Sequence, residues 1–202
     1  MYEGPNYVQL VGTVEKLIVL HPWQEGDSLI ELRVKRATFG KSDLLKVSVQ
    51  NLDIPYVRAG MKIKVTGNLY MHENIRKAVA RWTVRVFARQ VEIVDEDCDD
   101  MNIVSLIGKI RKVGQIRVTP LSLRELLDFQ VMTCSWKDEF IPTIAWGPNA
   151  YFVKNIHDKI PYGNVAIIGR LQERQFMKKH YDGRATQETV YEVSARSVCF
   201  TR

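Results

Sequence analysis

Long apolar runs are missing from this sequence. No stretch reaches the roughly 18–20 consecutive apolar residues of a membrane-spanning helix, so the 46% hydrophobic content is available for globular cores. The opening Met1-Tyr2-Glu3-Gly4-Pro5 lacks the basic-then-apolar order of a secretory signal, which predicts a cytoplasmic protein with no membrane partner. Cysteine is scarce and odd in number: Cys98, Cys134 and Cys199 match no zinc spacing and read as reduced thiols. The four histidines, His21, His72, His157 and His180, have no partner at ligand spacing, which predicts no metal and no cofactor. Neither a Gly-x-x-x-x-Gly-Lys phosphate loop nor a Gly-x-Gly-x-x-Gly turn is present. No Ser, His and Asp stand in a nucleophile setting, and Asp138-Glu139 reads as a turn. The chain is therefore expected not to be an enzyme.

What the sequence does have is positive charge, arranged in two halves. Net charge is +6 with a pI near 9.2, which suits a polyanionic partner without proving one. Residues 1–94 hold 14 Lys/Arg against 9 Asp/Glu, and residues 101–202 hold 15 against 9. Between them Asp95-Glu96-Asp97-Cys98-Asp99-Asp100 carries five acids and no base. An acidic block between basic halves predicts a linker at 95–100 joining a domain at 1–94 to one at 101–202.

The halves repeat each other. Asn6-Tyr-Val-Gln-Leu-Val-Gly-Thr-Val14 aligns without a gap to Asn102-Ile-Val-Ser-Leu-Ile-Gly-Lys-Ile110. Both alternate with period two, as half-buried strands do, and both hold a Gly where small barrels bend. Lys62–Leu69 aligns with Asn164–Leu171, and Val86–Val91 with Val193–Val198. Segments 30–36, 44–49, 127–133 and 140–146 also alternate. Each half thus predicts about five strands. Ala150–Ile160 predicts a helix after the third strand of the second half, its apolar face set by Tyr151/Phe152, Ile156 and Ile160, with Pro161-Tyr162-Gly163 as the stop. Residues 52–58 offer at best one turn there in the first half. Asp182-Gly183 predicts a long hairpin between the fourth and fifth strands. Five strands with a helix after the third is the order of the OB fold. The expected class is all-β: two tandem five-stranded Greek-key OB barrels, with a short helix at least in the second.

These residues resemble the bacterial single-stranded DNA-binding protein family of the homotetrameric replication type. Its Asn-x-Val-x-Leu-x-Gly opening occurs here twice, as does its Gly-x-Leu fourth strand, at Gly67-Asn-Leu69 and Gly169-Arg-Leu171. The resemblance implies four base-stacking aromatics, and the second half supplies all four: Trp136, Phe140, Trp146 and Phe176. The family's His-Arg pair after the second aromatic is replaced by Ile141-Pro142. In the first half Phe39 aligns with Trp136, whereas Asp43, Val49 and Asn74 fall at the other places. The family's acidic, Phe-ended tail has no counterpart at Val198–Arg202, which puts the usual recruitment of partner proteins in doubt and makes a tailless, primosome-accessory or mobile-element version a fair relative.

The expected chemistry is stacking plus phosphate contact, both tolerant of sequence. Phosphate contacts are expected from Lys109, Arg111, Lys112, Arg170, Arg174, Lys178, Lys179 and Arg184 in the second half. Lys35, Arg36, Phe39, Lys41, Lys62, Lys64, Arg76 and Lys77 are the candidates in the first. Because the family assembles four OB folds, two per chain predict a homodimer, a four-barrel pseudo-tetramer. The expected partner is single-stranded DNA, in replication, recombination, repair or transfer. The alternative is an interaction module that binds replication or recombination proteins, with DNA binding secondary. RNA is a third candidate ligand.

Overall fold

The computed structural model describes residues 6–19, 27–37, 40–50, 56–76, 79–119, 122–134, 138–179, 181 and 183–201. Within these, 27, 74–76, 79–81, 134, 138 and 179 are described by backbone alone. Trp136, Phe39 and Lys77 lie outside the described residues, as do the side chains of Arg76 and Lys179.

Eleven strands and one helix are present among the described residues. The first half holds β1 (Asn6–Val19), β2 (Asp27–Lys35), β3 (Ser42–Gln50), β4 (Lys62–Arg76) and β5 (Val79–Ile93). The second holds β6 (Met101–Arg111), β7 (Arg117–Val118), β8 (Glu125–Cys134), β9 (Asp138–Trp146), α1 (Pro148–Lys159), β10 (Asn164–Lys179) and β11 (Ala185–Thr201). β1 pairs with β2 and β4, β2 with β3, β3 with β5 in parallel, and β5 with β4. That ring is closed, in the order 1-2-3-5-4-1 of the OB barrel. β6, β8, β9, β11 and β10 close a second ring of the same order. Inward residues on alternate positions fill each barrel, such as Leu10, Leu32, Leu45 and Leu69 in the first and Leu106, Val131, Ile141 and Leu171 in the second. The all-β OB reading of the sequence holds.

The sequence motifs have local causes. Asn6 Nδ2 donates to Leu69 O at 2.7 Å, and Leu69 N donates to Asn6 Oδ1 at 2.9 Å. Asn102 grips Leu171 in the same way, at 2.7 and 2.9 Å. The opening Asn of the first strand thus satisfies the backbone of the Gly-x-Leu strand beside it, just past the end of the ladder between them at Val8–Gly67 and Val104–Gly169. On the other side of that strand, where it pairs with the fifth, a bulge falls between Thr66 and Gly67 in one barrel and between Ile168 and Gly169 in the other. A Cβ on Gly169 would lie 2.4 Å from Ser194 O, and one on Gly67 2.0 Å from Phe87 O, so both bends need glycine.

Helix α1 starts two residues earlier than the periodicity suggests, because Gly147 at φ 49° turns the chain and Pro148 opens the first turn. Its inward stripe is Ala150, Val153 and Ile156. Tyr151, Phe152 and Ile160, read from sequence as apolar-face residues, are exposed. The small Ala and the Val fit against the barrel end, and Tyr151 turns outward to donate to Glu125 Oε1 at 2.5 Å.

The two barrels share a sheet. β1 and β6 pair antiparallel, with Val8 opposite Val104, Asn6 opposite Leu106 and Leu10 opposite Asn102. Asn6 and Leu10 face each other's equivalents and Val8 faces its own, so the seam has local twofold symmetry about Val8 and Val104. The acidic block is stitched down beside it: Asp100 Oδ1 pairs with Lys62 Nζ at 2.9 Å and Asp100 Oδ2 accepts from Lys35 N. No described helix is long and apolar enough to cross a membrane.

Candidate nucleic-acid interface

Strand pairing fixes which residues of the two barrels are equivalent. Val14 and Ile110 occupy the same motif place. Their partners are Leu32 and Val131, whose partners in turn are Leu45 and Ile141. Phe140 is therefore matched by Leu44, Trp146 by Gln50 and Glu139 by Asp43. The sequence alignment, which set Asp43 and Val49 against the aromatics, is one residue out on this strand. A slip of one turns every side chain to the other face: Asp43 and Val49 point inward, at 1% and 6% exposure.

The correct register reveals a reciprocal clasp. Asp43 Oδ1 accepts from Glu173 N at 3.0 Å, and Glu139 Oε2 accepts from Met71 N at 2.8 Å. Each third-strand carboxylate thus holds the fourth strand of the other barrel. Glu173 Oε2 accepts from Leu44 N in addition, at 3.1 Å. Glu139 is a seam residue, not the turn residue the sequence suggests.

Beside this clasp lies a groove of about 360 Å³ in the second barrel. Its floor is the outer face of β8, β9, β10 and β11: Leu126, Ile144, Trp146, Arg170, Gln172, Arg174 and Glu192. Trp146 ends β9 and is half-buried. Its indole Nε1 donates to Ser194 Oγ at 3.0 Å, which fixes the ring plane, and the Arg124 guanidinium carbon lies 4.9 Å from the ring centroid. Gln172 Nε2 donates to Glu192 Oε1 at 3.0 Å, and Arg174 grips both Glu192 oxygens at 2.9 and 3.0 Å. Arg170 donates to the Gln172 amide oxygen at 3.1 Å. Burial, and next the Arg36 charge, push its pKa below the usual guanidinium value. On the rim, Arg117 pairs with Asp128 at 2.7 Å.

Of the expected phosphate-contact residues, Arg36, Arg170 and Arg174 line this groove. Phe140 is 39% exposed on the same outer face of β9, and Phe176 lies farther out on β10, with the Arg174 guanidinium carbon 5.6 Å from its centroid. The others are dispersed. Arg111 stacks on Tyr162 at 4.0 Å and reaches Met132. Lys178 pairs with Glu188 at 3.6 Å, Lys64 with Glu92 at 3.3 Å, and Lys62 with Asp100. Lys35, Lys41, Lys109, Lys112 and Arg184 are exposed and outside the groove lining. Sequence reasoning missed Arg117 and Arg124. Both flank the β7–β8 turn, in the loop between the first two barrel strands that OB folds use for oligonucleotides. Their only signal was two arginines around Thr119-Pro120-Leu121-Ser122 after a strand with a basic end.

The equivalent face of the first barrel is built otherwise. Tyr70 stands where Gln172 does, Phe87 where Ser194 does and His72 where Arg174 does. Tyr70 packs edge-on against Phe87 at 6.3 Å and His72 at 6.1 Å, and shares a 2.7 Å hydrogen bond with Ser48. Burial, then the charges of Arg85 and Lys46, lower the His72 pKa.

No group of His, Cys, Asp and Glu suited to a metal occurs among the described residues. No protein-family model matches the chain, and no curated protein matches it in sequence. Solved structures do. The wild-type single-stranded DNA binding protein from Thermus aquaticus superposes with a TM-score of 0.73 at 16% identity, covering 100% of this chain and 95% of that one. A deletion mutant of the same protein gives 0.73 at 17% identity, covering 100% and 97%. The likeness is one of fold, and it extends over both barrels.

Proposed function

We propose that this protein binds single-stranded DNA with little sequence preference and catalyses no reaction. Bases stack on Trp146, Phe140, Phe176 and Trp136, while guanidinium groups take the phosphates. The observation that carries this reading is the groove beside Trp146: an indole held by Ser194, rimmed and floored by five arginines from both halves of the chain. Aromatic platforms with basic walls fit a flexible polyanion whose bases expose their faces. The Thermus aquaticus protein of the same fold, named for single-stranded DNA binding, supports the same ligand.

In this reading residues 1–94 and 101–202 are two domains joined by 95–100, and the second does most of the binding. Two chains associate into a four-barrel dimer. Ile103 on β6 and Ile168 on β10, 38% and 49% exposed, offer it apolar surface, with Ile168 opposite Ser105, two residues on from Ile103. A light-scattering mass of one chain would exclude the dimer. Roles in replication, recombination, repair or transfer follow from the ligand. A second reading, an interaction module for replication proteins, draws on the first barrel, where Leu44 and Gln50 replace the platforms.

The test is tryptophan fluorescence titration with oligo-dT of increasing length at two salt concentrations, with matched oligo-rU alongside. Quenching is expected, with log affinity falling against log salt by about 0.7 for each phosphate contact. Absence of binding at low salt overturns the proposal and leaves the interaction module. Tighter binding of rU than of dT would make RNA the ligand.

A further inference from the structure

The groove is not made by the second barrel alone. Arg36, which follows β2 in the first barrel, lines it with Arg170 and Arg174. Arg36 is fixed there. Its Nε donates to Asp43 Oδ2 at 2.8 Å and a second nitrogen reaches Asp43 Oδ1. The same Oδ1 accepts from Glu173 N across the seam. Asp43 is 1% exposed, so this is a rigid mount. Arg170 lines the same groove from the other barrel, near enough for the Arg36 charge to act on it. Among the described residues it has no carboxylate within ion-pair distance, only the amide oxygen of Gln172. Asp43 thus pairs with Arg36 alone, while burial and the nearby Arg36 charge disfavour the charge on half-buried Arg170. An anion between the two guanidinium groups would offset that, and planar guanidinium forks match phosphate oxygens.

We propose that Arg36 and Arg170 together form a phosphate site on the seam, so that a single strand stacked on Trp146 passes from the second barrel onto the first within one chain. This rests on the single-strand reading above. The first barrel, poor in stacking aromatics, then contributes to binding through backbone contact rather than through bases.

The test compares oligo-dT affinity and its salt dependence in the full chain and in Arg36→Gln, Arg36→Lys, Arg170→Gln and Lys154→Gln. Lys154 pairs with Asp158 on α1 and serves as the control. Arg36→Gln and Arg170→Gln should each weaken dT binding about tenfold, as loss of a charge-assisted contact does, and each should flatten the salt slope by about 0.7. Arg36→Lys keeps a charge beside Asp43 and guards against a folding artefact. It should bind several-fold more weakly than wild type while still melting in one cooperative transition. If wild type binds dT while both Arg36 variants match it, the strand does not cross the seam and the proposal falls, with single-strand binding intact. If wild type does not bind dT, both readings fall together.

Discussion

Asp43→Ala should lower the stability of this protein by about 3–5 kcal/mol, the cost of breaking a buried ion pair from one side. Two contacts are lost at once: the paired contact to Arg36 and the bond from Glu173 N. Removing the carboxylate leaves a guanidinium only partly open to water and a backbone N–H at the seam without its acceptor. Asp43→Asn separates these effects. It keeps an acceptor for Glu173 N and loses the charge, so it should fall between wild type and Asp43→Ala. Glu139→Ala, at the equivalent place in the second barrel, removes only the acceptor for Met71 N and should cost about 1–3 kcal/mol. Urea denaturation with an unchanged m-value would measure all three. Equal losses for Asp43→Ala and Glu139→Ala would mean that the Arg36 pair adds nothing to the fold.

The barrels were legible because their signals are local. Period-two alternation, the paired Asn-x-Val-x-Leu-x-Gly strands and the Asp182-Gly183 turn each act within a few residues of where they are read. Gly183 indeed sits in the left-handed region, at φ 81°. The clasp was not legible, because Asp43 and Glu139 find their partners only after β1 has paired with β6, across about a hundred residues of chain. The third-strand misalignment had the same origin. Its alternating residues match nearly as well one place over, and only the ladder with the second strand decides the register. The helix was placed to within two residues, but of its expected face only Ile156 is buried. Tyr151 and Phe152 carry more apolar surface than Ala150 and Val153, yet only the smaller pair fits between helix and barrel. Arg117 was hidden in a two-residue strand too short to alternate, and Arg124 in the turn before β8.

The asymmetry between the barrels also has a physical account. Both have the same ring of strands, so their outer faces offer the same places. In the second barrel those places hold Gln172 and Ser194, short groups that leave room above them, with Trp146 at the edge. In the first they hold Tyr70 and Phe87, which pack on one another. The same frame thus carries an open face in the second barrel and a filled one in the first, which contributes Arg36 to its neighbour's groove.

Trp146 is where the largest loss of binding is expected. Trp146→Ala should weaken oligo-dT binding by about 5- to 150-fold, the range for removing one stacked base platform. Arg124 already rests over the ring at 4.9 Å, a contact worth about 0.5–1 kcal/mol at an exposed site. A base must therefore compete with that guanidinium for the ring. A packing role for Trp146 would predict much the same loss, so the decisive pair is Trp146→Leu and Trp146→Phe. Both replacements lose the bond to Ser194 Oγ and both fill most of the space, but only Phe presents a π-face. If stacking is the role, Trp146→Phe should bind within about threefold of wild type and Trp146→Leu at least about tenfold more weakly. Equal losses in the two variants would assign Trp146 to the architecture of β9 and shift base contact to Phe140, Phe176 and Trp136.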